Sequence, residues 1–352
     1  MKRLSIIVPI YNVEPYVERC LRSLEDQDIP KNDYEIICIN DGSPDKSREV
    51  VIRMQEEFDN ITLIDQNNEG VGAARNKGID SATGKYLMMV DSDDYLKPNS
   101  LKDRLDLIEY SNLDVGPAGY TILDKALKEE YTYDPKYNQK DILTGIDYYY
   151  KYKHGKSEIR DPHGSWAIFF KTSFLKSNNL KYLVGVPMLE DREFIARVLC
   201  LAKRVVFIDD PLYMRTTTPG SATNSRLRYS EQAINGFLKS AYHLLKFKLE
   251  YCKEEEQKTY MNQPIVHFVI LYITSFNGMK FFRYYPKLYK ALKKGTLRKL
   301  ETTGCSKYYK KMGNYYNHSL YCFYFNQLFF RLCKSVKIRY RRIYANLILG
   351  FI

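Results

Sequence analysis

The chain has 352 residues, of which 45% are hydrophobic and 27% charged, with a formal net charge of +12. That length supports one large α/β core plus a helical part without the disulfide or metal staples that small domains need. Seven cysteines (Cys20, Cys38, Cys200, Cys252, Cys305, Cys322 and Cys333) are scattered and show no CxxC spacing. This argues against a disulfide framework or a zinc site and fits a reducing cytoplasm.

From the start, Met1-Lys2-Arg3 lead into Leu4 to Pro9, an apolar run too short for a signal-peptide core, so no export signal is expected. Strand-like runs rich in apolar and β-branched residues follow at Leu4 to Ile10, Tyr34 to Asn40, Ile61 to Asp65 and Tyr86 to Val90. Helical segments alternate with them: Pro15 opens Val17 to Leu24, Ser43-Pro44 cap a segment reaching Phe58, and Gly70 to Ala82 form a third. Three β-α connections in a row predict an α/β fold with a mostly parallel sheet and helices on its faces. The carboxyl ends of its strands should line a ligand crevice. The loops at that edge are polar: Tyr11-Asn12, Asp41-Gly42-Ser43, Asn67-Asn68-Glu69-Gly70 and Asp91-Ser92-Asp93.

The fourth of these runs is the most informative, because Tyr86 to Val90 leads straight into Asp91, Asp93 and Asp94. Carboxylates at a strand end suit magnesium or manganese, which take one or two protein carboxylates and fill the shell with water and substrate phosphates. A helix-entry turn is the alternative for the same residues. Further on, the pattern loosens from Tyr110 to Lys156, where the tyrosine-rich stretch Tyr131 to Tyr152 reads as loops with one helix; Ser165 to Lys171 reads as a strand, Met188 to Leu201 as a helix and Arg204 to Ile208 as a strand. Beyond about Arg226 the texture is helical, with Tyr229 to Lys253 and Pro264 to Phe282 the longest candidates. The apolar stretch Pro264 to Phe276 contains His267 and falls short of the roughly 18 to 20 apolar residues that span a bilayer. It reads as a buried helix.

Four segments resemble, in order, the motifs of the family 2 nucleotide-sugar glycosyltransferases of the GT-A fold, the type that builds bacterial surface polysaccharides. They are Ser5-Ile6-Ile7-Val8-Pro9-Ile10-Tyr11-Asn12, Asn40-Asp41-Gly42-Ser43-Pro44-Asp45, Asn68-Glu69-Gly70-Val71-Gly72-Ala73-Ala74-Arg75-Asn76-Lys77-Gly78 and Val90-Asp91-Ser92-Asp93-Asp94. The resemblance is dense at first and thins toward residue 225. It implies a GT-A domain over 1–225, with a donor half to about residue 110 and an acceptor half at 111–225, followed by a helical, basic, aromatic-rich region at 226–352.

The resemblance also implies an activity: inverting transfer of a sugar from a nucleoside diphosphate, a UDP-sugar by expectation, to a hydroxyl of a saccharide or lipid-linked saccharide. Asp93, with Asp91, would hold manganese or magnesium. Asp91 and Ser92 would also face the donor, Asp41 would accept from the imino group of a uracil-type base, and Tyr11 would stack on that base. Asn12 and Asn68 lie in the donor loops, and Pro9 would fix where the first strand ends. Arg75, on a helix opened by glycines, would neutralise diphosphate or pair with Asp91 or Asp93. By the same resemblance Asp191 of Leu189-Glu190-Asp191 would be the base, Glu190 would support the acceptor and Trp166 would lie on the acceptor side. Tyr213 to Ser221 resembles a mobile basic loop in which Arg215 reaches the diphosphate. Thr216 to Thr218 stand where some relatives carry a metal-binding His.

Charge is uneven along the chain. After Glu301 there is no acidic residue, whereas Lys307, Lys310, Lys311, Arg331, Lys334, Lys337, Arg339, Arg341 and Arg342 are basic. An anionic surface is the expected partner of the C-terminus. Apolar residues at Phe329, Leu332, Val336, Tyr340, Ile343 and Leu347 recur at helical spacing beside Lys334, Lys337 and Arg341. Residues 329–352 therefore read as an interfacial helix on anionic lipid or as a helix packed on the catalytic domain. The first reading gives a cytoplasmic protein at the inner face of the membrane.

Two other function classes compete. A nucleotidyltransferase would carry a basic glycine-rich loop after the first strand, where this chain has Tyr11-Asn12-Val13-Glu14. A nucleic-acid-binding protein would spread its charge over the whole surface, so no nucleic acid is expected as partner.

Overall fold

β1 (Leu4–Ile10) is buried along its whole length and β2 (Tyr34–Asn40) along nearly all of it, as strands covered on both faces must be. The computed structural model describes residues 2–133, 141–152, 164–218, 226–276 and 279–329. β3 (Ile61–Asp65) pairs in parallel with β2, and β4 (Tyr86–Met89) pairs in parallel with β1. α1 (Glu14–Glu25) and α2 (Ser47–Glu57) bring Val17, Leu21, Leu24, Val50, Val51 and Met54 into one core with Ile6, Val8, Ile36 and Cys38. Side chains alternate along a strand, so Ile7 points to the other face. There α3 (Val71–Ser81) packs so closely that a Cβ on Gly78 would lie 2.3 Å from Ile7 Cγ2.

The sheet continues through β5 (Tyr95–Leu96), β6 (Val115–Leu123), β7 (Glu129–Tyr133), β8 (Ile168–Lys171) and β9 (Ile208–Thr216). The order is β3-β2-β1-β4-β8-β6-β9-β5, with β7 beside β6. β8 lies antiparallel between β4 and β6, whereas β6 and β9 are parallel. Between the strands come α4 (Lys102–Tyr110), α5 (Gly145–Tyr152), α6 (Thr172–Ser177) and α7 (Glu190–Leu201). The fold is thus α/β of the GT-A type, parallel in its first half and mixed in its second.

Several local expectations are corrected. β6 and β7 occupy a stretch whose pattern loosens in sequence, because Gly116, Pro117 and Gly119 interrupt the strand alternation. Close packing explains the second glycine: a Cβ on Gly119 would stand 2.9 Å from the Tyr133 carbonyl and 3.1 Å from Pro211 Cα. The strand expected at Arg204 to Ile208 instead begins at Ile208 and runs to Thr216, which puts Arg215 on a strand. Pro211 is admitted at a register shift between β6 and β9, next to Asp210 at φ 64°. Pro9 lies inside β1 and does not end it. β4 pairs with β1 only as far as Ile7, so at Pro9 the strand carries a ladder on one side.

Two compact units result, Met1–Met261 and Asn262–Ile352. The first includes α8 (Glu231–Tyr251), whose N-cap Ser230 accepts from the Ala233 amide. The helix expected from Pro264 to Phe282 is two helices, α9 (Glu255–Thr274), which holds Pro264 in its interior, and α10 (Met279–Lys293). The second unit adds α11 (Lys307–His318) and helical residues 320–329 around Phe281, Leu288, Leu292 and Tyr316. Tyr316 donates its hydroxyl to the Leu297 carbonyl at 2.7 Å. No helix among the described residues is long and apolar enough to cross a membrane. The interfacial helix expected over 329–352 lies outside the described residues after Phe329, as do Pro219 to Ser221.

Candidate active site

Asp41, after β2, ties its loop to the loop after β3. Its carboxylate is buried and accepts three hydrogen bonds, from Gln66 Nε2 at 2.8 Å and from the amides of Glu69 and Gly70 at 2.9 Å each. Gly42 and Gly70 both take left-handed backbone, at φ 66° and 89°, which lets the chain turn tightly under that carboxylate. A Cβ on Gly42 would come within 3.1 Å of the Asn68 amide. Asn12, at φ 54°, donates its amide to Ser43 Oγ, so the loop after β1 is fastened to the loop after β2. Tyr11 and Asn68 project into solvent at this edge.

Past β4 the chain folds its acidic run back against β9. Tyr213 Oη donates to Asp94 at 2.8 Å and accepts from the Asp91 amide at 3.1 Å, while the Thr216 amide donates to Asp94 at 2.6 Å. Burial pushes the Asp94 carboxyl well above the ordinary range, and the neighbouring Asp93 and Asp91 add to the shift. Asp93 is raised for the same reasons, desolvation first and then Asp91, against the hydrogen bond it accepts from Thr218 Oγ1 at 2.6 Å. Arg19, on α1, holds the Asp93 carbonyl at 2.8 Å and stands over the Tyr95 ring. Ser92, which follows Asp91 in the chain, is buried.

Arg75 joins this turn to α7. Its guanidinium is buried, and it donates to Asp91 Oδ1 at 2.8 Å and to Glu190 Oε1 at 2.7 Å, over the face of Tyr182. The ion pair expected of Arg75 is present, with Asp91 as its partner. α7 starts from Leu189 in left-handed backbone at φ 61°, which turns Glu190 and Asp191 into the first helical turn. Asp191 keeps an opening to solvent, yet its carboxyl is pushed up to about 7. Desolvation is the main cause and the charge of Glu190 the next, with Arg75 opposing both. A carboxylate with that affinity is matched to taking a proton near neutral pH. Behind it, fully buried Glu193 is held by Arg197 at 2.7 and 2.8 Å and by His243 Nδ1 at 2.7 Å, which fixes α7 from the rear.

Trp166 sits among aromatic rings, 4.9 Å from Tyr120 and 5.0 Å from Tyr213 between centroids, with the Arg215 guanidinium 5.6 Å above it. The tryptophan and the arginine expected on opposite sides of the reaction are therefore neighbours. Sequence reasoning missed Tyr213, Asp94, Arg19 and Tyr182 as supports of the site. Asp94 stands in the acidic run and could have been picked out there. Tyr213 opens the basic segment Tyr213 to Ser221, whereas Arg19 and Tyr182 carry no local signal.

No three His, Cys, Asp or Glu side chains converge as a metal cage among the described residues. Magnesium and manganese need fewer, taking one or two carboxylates and completing their shell with phosphate and water. The crowded negative charge at Asp91 and Asp93 fits a cation that would relieve it.

Residues 5–176 match the model of Glycosyl transferase family 2. The glycosyltransferase EpsJ of Bacillus subtilis is 33% identical over 221 residues, 62% of this chain and 62% of its own length. The poly(ribitol-phosphate) beta-glucosyltransferase of Bacillus spizizenii is 31% identical over 58% of this chain and 30% of its own. This chain thus spans less than two thirds of the length of either relative. The crystal structure of Staphylococcus aureus TarS 1-349 with UDP-GlcNAc superposes with a TM-score of 0.70 at 20% identity, covering 94% of this chain and 92% of that one, a likeness of fold. The stretch similar to glycosyl transferase family 2, residues 5–176, is just under half of the chain.

Proposed function

We propose that the chain moves a sugar from a UDP-sugar to a hydroxyl of a saccharide or lipid-linked saccharide, with inversion, during assembly of a surface polysaccharide. The observation that carries this reading is the Arg75 bridge between Asp91, at the end of β4, and Glu190, at the start of α7. It supports the reading by joining Asp91, taken as the donor-side carboxylate, to Glu190 of the acid pair on α7. The TarS complex with UDP-GlcNAc supports a uridine donor, and the poly(ribitol-phosphate) relative supports a cell-surface acceptor.

In this reading the base of the nucleotide lies at the loop edge, stacked on Tyr11 and flanked by Asn12 and Asn68. A carboxylate offers about four acceptor positions, so Asp41 can take the uracil imino group beyond its three loop donors. Asp91 and Ser92 face the ribose and sugar, and Arg215 reaches the diphosphate. A divalent cation held by Asp93 with Asp91 would stabilise, as a Lewis acid, the negative charge that builds on the leaving diphosphate. Asp191 removes the proton of the acceptor hydroxyl as its oxygen attacks the anomeric carbon. Glu190, held by Arg75, supports the acceptor, and Trp166 offers it an aromatic face. A cytoplasmic position at the inner face of the membrane, helped by residues 329–352, suits a lipid-linked acceptor.

The test is thermal denaturation with UDP, GDP, CDP or ADP, each with and without manganese, followed by assay of UDP-sugar turnover. UDP with manganese is expected to give the largest stabilisation. A larger shift with another nucleotide would replace the donor, and no shift with any would remove the reading.

A further inference from the structure

The two units differ sharply in charge. Residues 262–352 contain seventeen Lys and Arg against a single acidic residue, Glu301, whereas residues 1–261 are four charges negative. Within the second unit, α10 presents three stripes at helical spacing. Phe281, Leu288 and Leu292 are buried. Met279, Phe282, Pro286 and Tyr289 form an exposed apolar stripe, and Lys280, Arg283, Lys287 and Lys290 form an exposed basic stripe beside it.

The apolar stripe does not end at the helix. Phe282 lies 5.5 Å from Tyr324 and 6.4 Å from Phe325 between ring centroids, and Tyr285 stacks on Tyr321 at 4.4 Å. Residues 320–329 thereby extend it into one aromatic surface. Its outer members are open: Phe282 is 43% exposed, Phe325 53%, Phe329 67% and Met279 82%. A soluble chain gains nothing by holding phenylalanines in water, and their clustering marks a docking surface.

We infer that this face of α10 and residues 320–329 docks on an anionic lipid bilayer. The aromatic rings enter the headgroup region while Lys280, Arg283, Lys287 and Lys290 lie along the phosphates. Charge complementarity selects this occupant, since the flanking stripe is wholly basic and its unit has one carboxylate side chain. The exposed phenylalanines favour an acyl boundary over a dissolved polyanion, which needs no apolar partner. The surface is independent of sugar transfer and would stand if the donor or acceptor proved different.

Co-sedimentation of the full chain with vesicles tests it, comparing phosphatidylcholine alone with vesicles holding about 30% phosphatidylglycerol, at low and high salt. Binding is expected only with the anionic vesicles, weakening as salt rises. The double variants F282S/F325S and K287E/K290E should each lower the bound fraction by about tenfold or more, with unchanged circular dichroism and melting temperature. Three results would overturn the inference. One is equal binding to neutral vesicles. Another is binding unchanged in both variants but lost in R339E/R341E/R342E, which would give the role to the tail. The last is no vesicle binding with a concentration-dependent dimer that F282S/F325S abolishes, which would make a second copy the occupant.

Discussion

Arg75 and Glu190, 115 residues apart in the chain, meet in a buried ion pair of 2.7 Å. The same guanidinium holds Asp91, so one planar cation fixes the spacing of two carboxylates. Lysine offers a point charge without that fork. Arg75→Lys is expected to leave one carboxylate unpaired, lowering kcat/KM on the order of a hundredfold and stability by about 3 kcal/mol. Steady-state kinetics and thermal denaturation of the variant check this; wild-type values in both would show that the bridge is dispensable.

Asp191 gives the reaction its expected pH dependence. Its carboxyl is pushed up to about 7 from an ordinary value of 3.8, chiefly by desolvation. Transfer should rise about tenfold per pH unit below 7 and level above it, because only the carboxylate can accept the proton. The stability linkage runs the other way. With its folded pKa raised, the group contributes stability that is present at low pH and lost as pH rises from 3.8 toward 7. Asp191→Asn should therefore be more stable than wild type above neutral pH, by roughly 1 to 2 kcal/mol after solvent screening, while transferring no sugar. A rate flat from pH 5 to 8 would give the proton to another group.

Asp93→Ala should abolish manganese-dependent turnover, with a loss of about a thousandfold or more. Isothermal titration of manganese with UDP present measures the same loss as binding. Retained activity with an ordinary manganese requirement would take Asp93 off the ligand set.

Asp41→Asn exchanges an acceptor for a donor opposite the amides of Glu69 and Gly70. Leaving a buried amide unsatisfied costs about 1 to 3 kcal/mol. The expected outcome is a lower melting temperature together with a higher KM for donor and little change in kcat, measured on the same preparation. A fall in kcat at constant KM would contradict a role in holding the donor loops.

The first four strands were legible because Leu4 to Ile10, Tyr34 to Asn40, Ile61 to Asp65 and Tyr86 to Val90 are short apolar runs set off by polar loops. β6 was not, because Gly116 and Gly119 answer to the packing of Ile208, Phe169 and Pro211 against them, which no local pattern carries. In the site, Asp91, Asp93, Glu190 and Asp191 could be picked out as residue types in acidic clusters. That Arg75 spans Asp91 and Glu190 could not, since it depends on where α7 returns to the sheet. Tyr213 was visible only as part of a basic segment, yet its hydroxyl closes the acidic turn from below.

Gly78 lies on the face of α3 that touches the sheet, where a methyl group would meet Ile7 Cγ2 at 2.3 Å. Gly78→Ala should cost about 1 to 3 kcal/mol through overpacking, read by chemical denaturation. Its effect should not stop at stability. The helix that would be levered outward is the one bearing Arg75, so an added carbon on the sheet side would draw the guanidinium away from both its carboxylates. A position that touches no substrate would then behave, in an assay of turnover, like a defect in the chemistry itself.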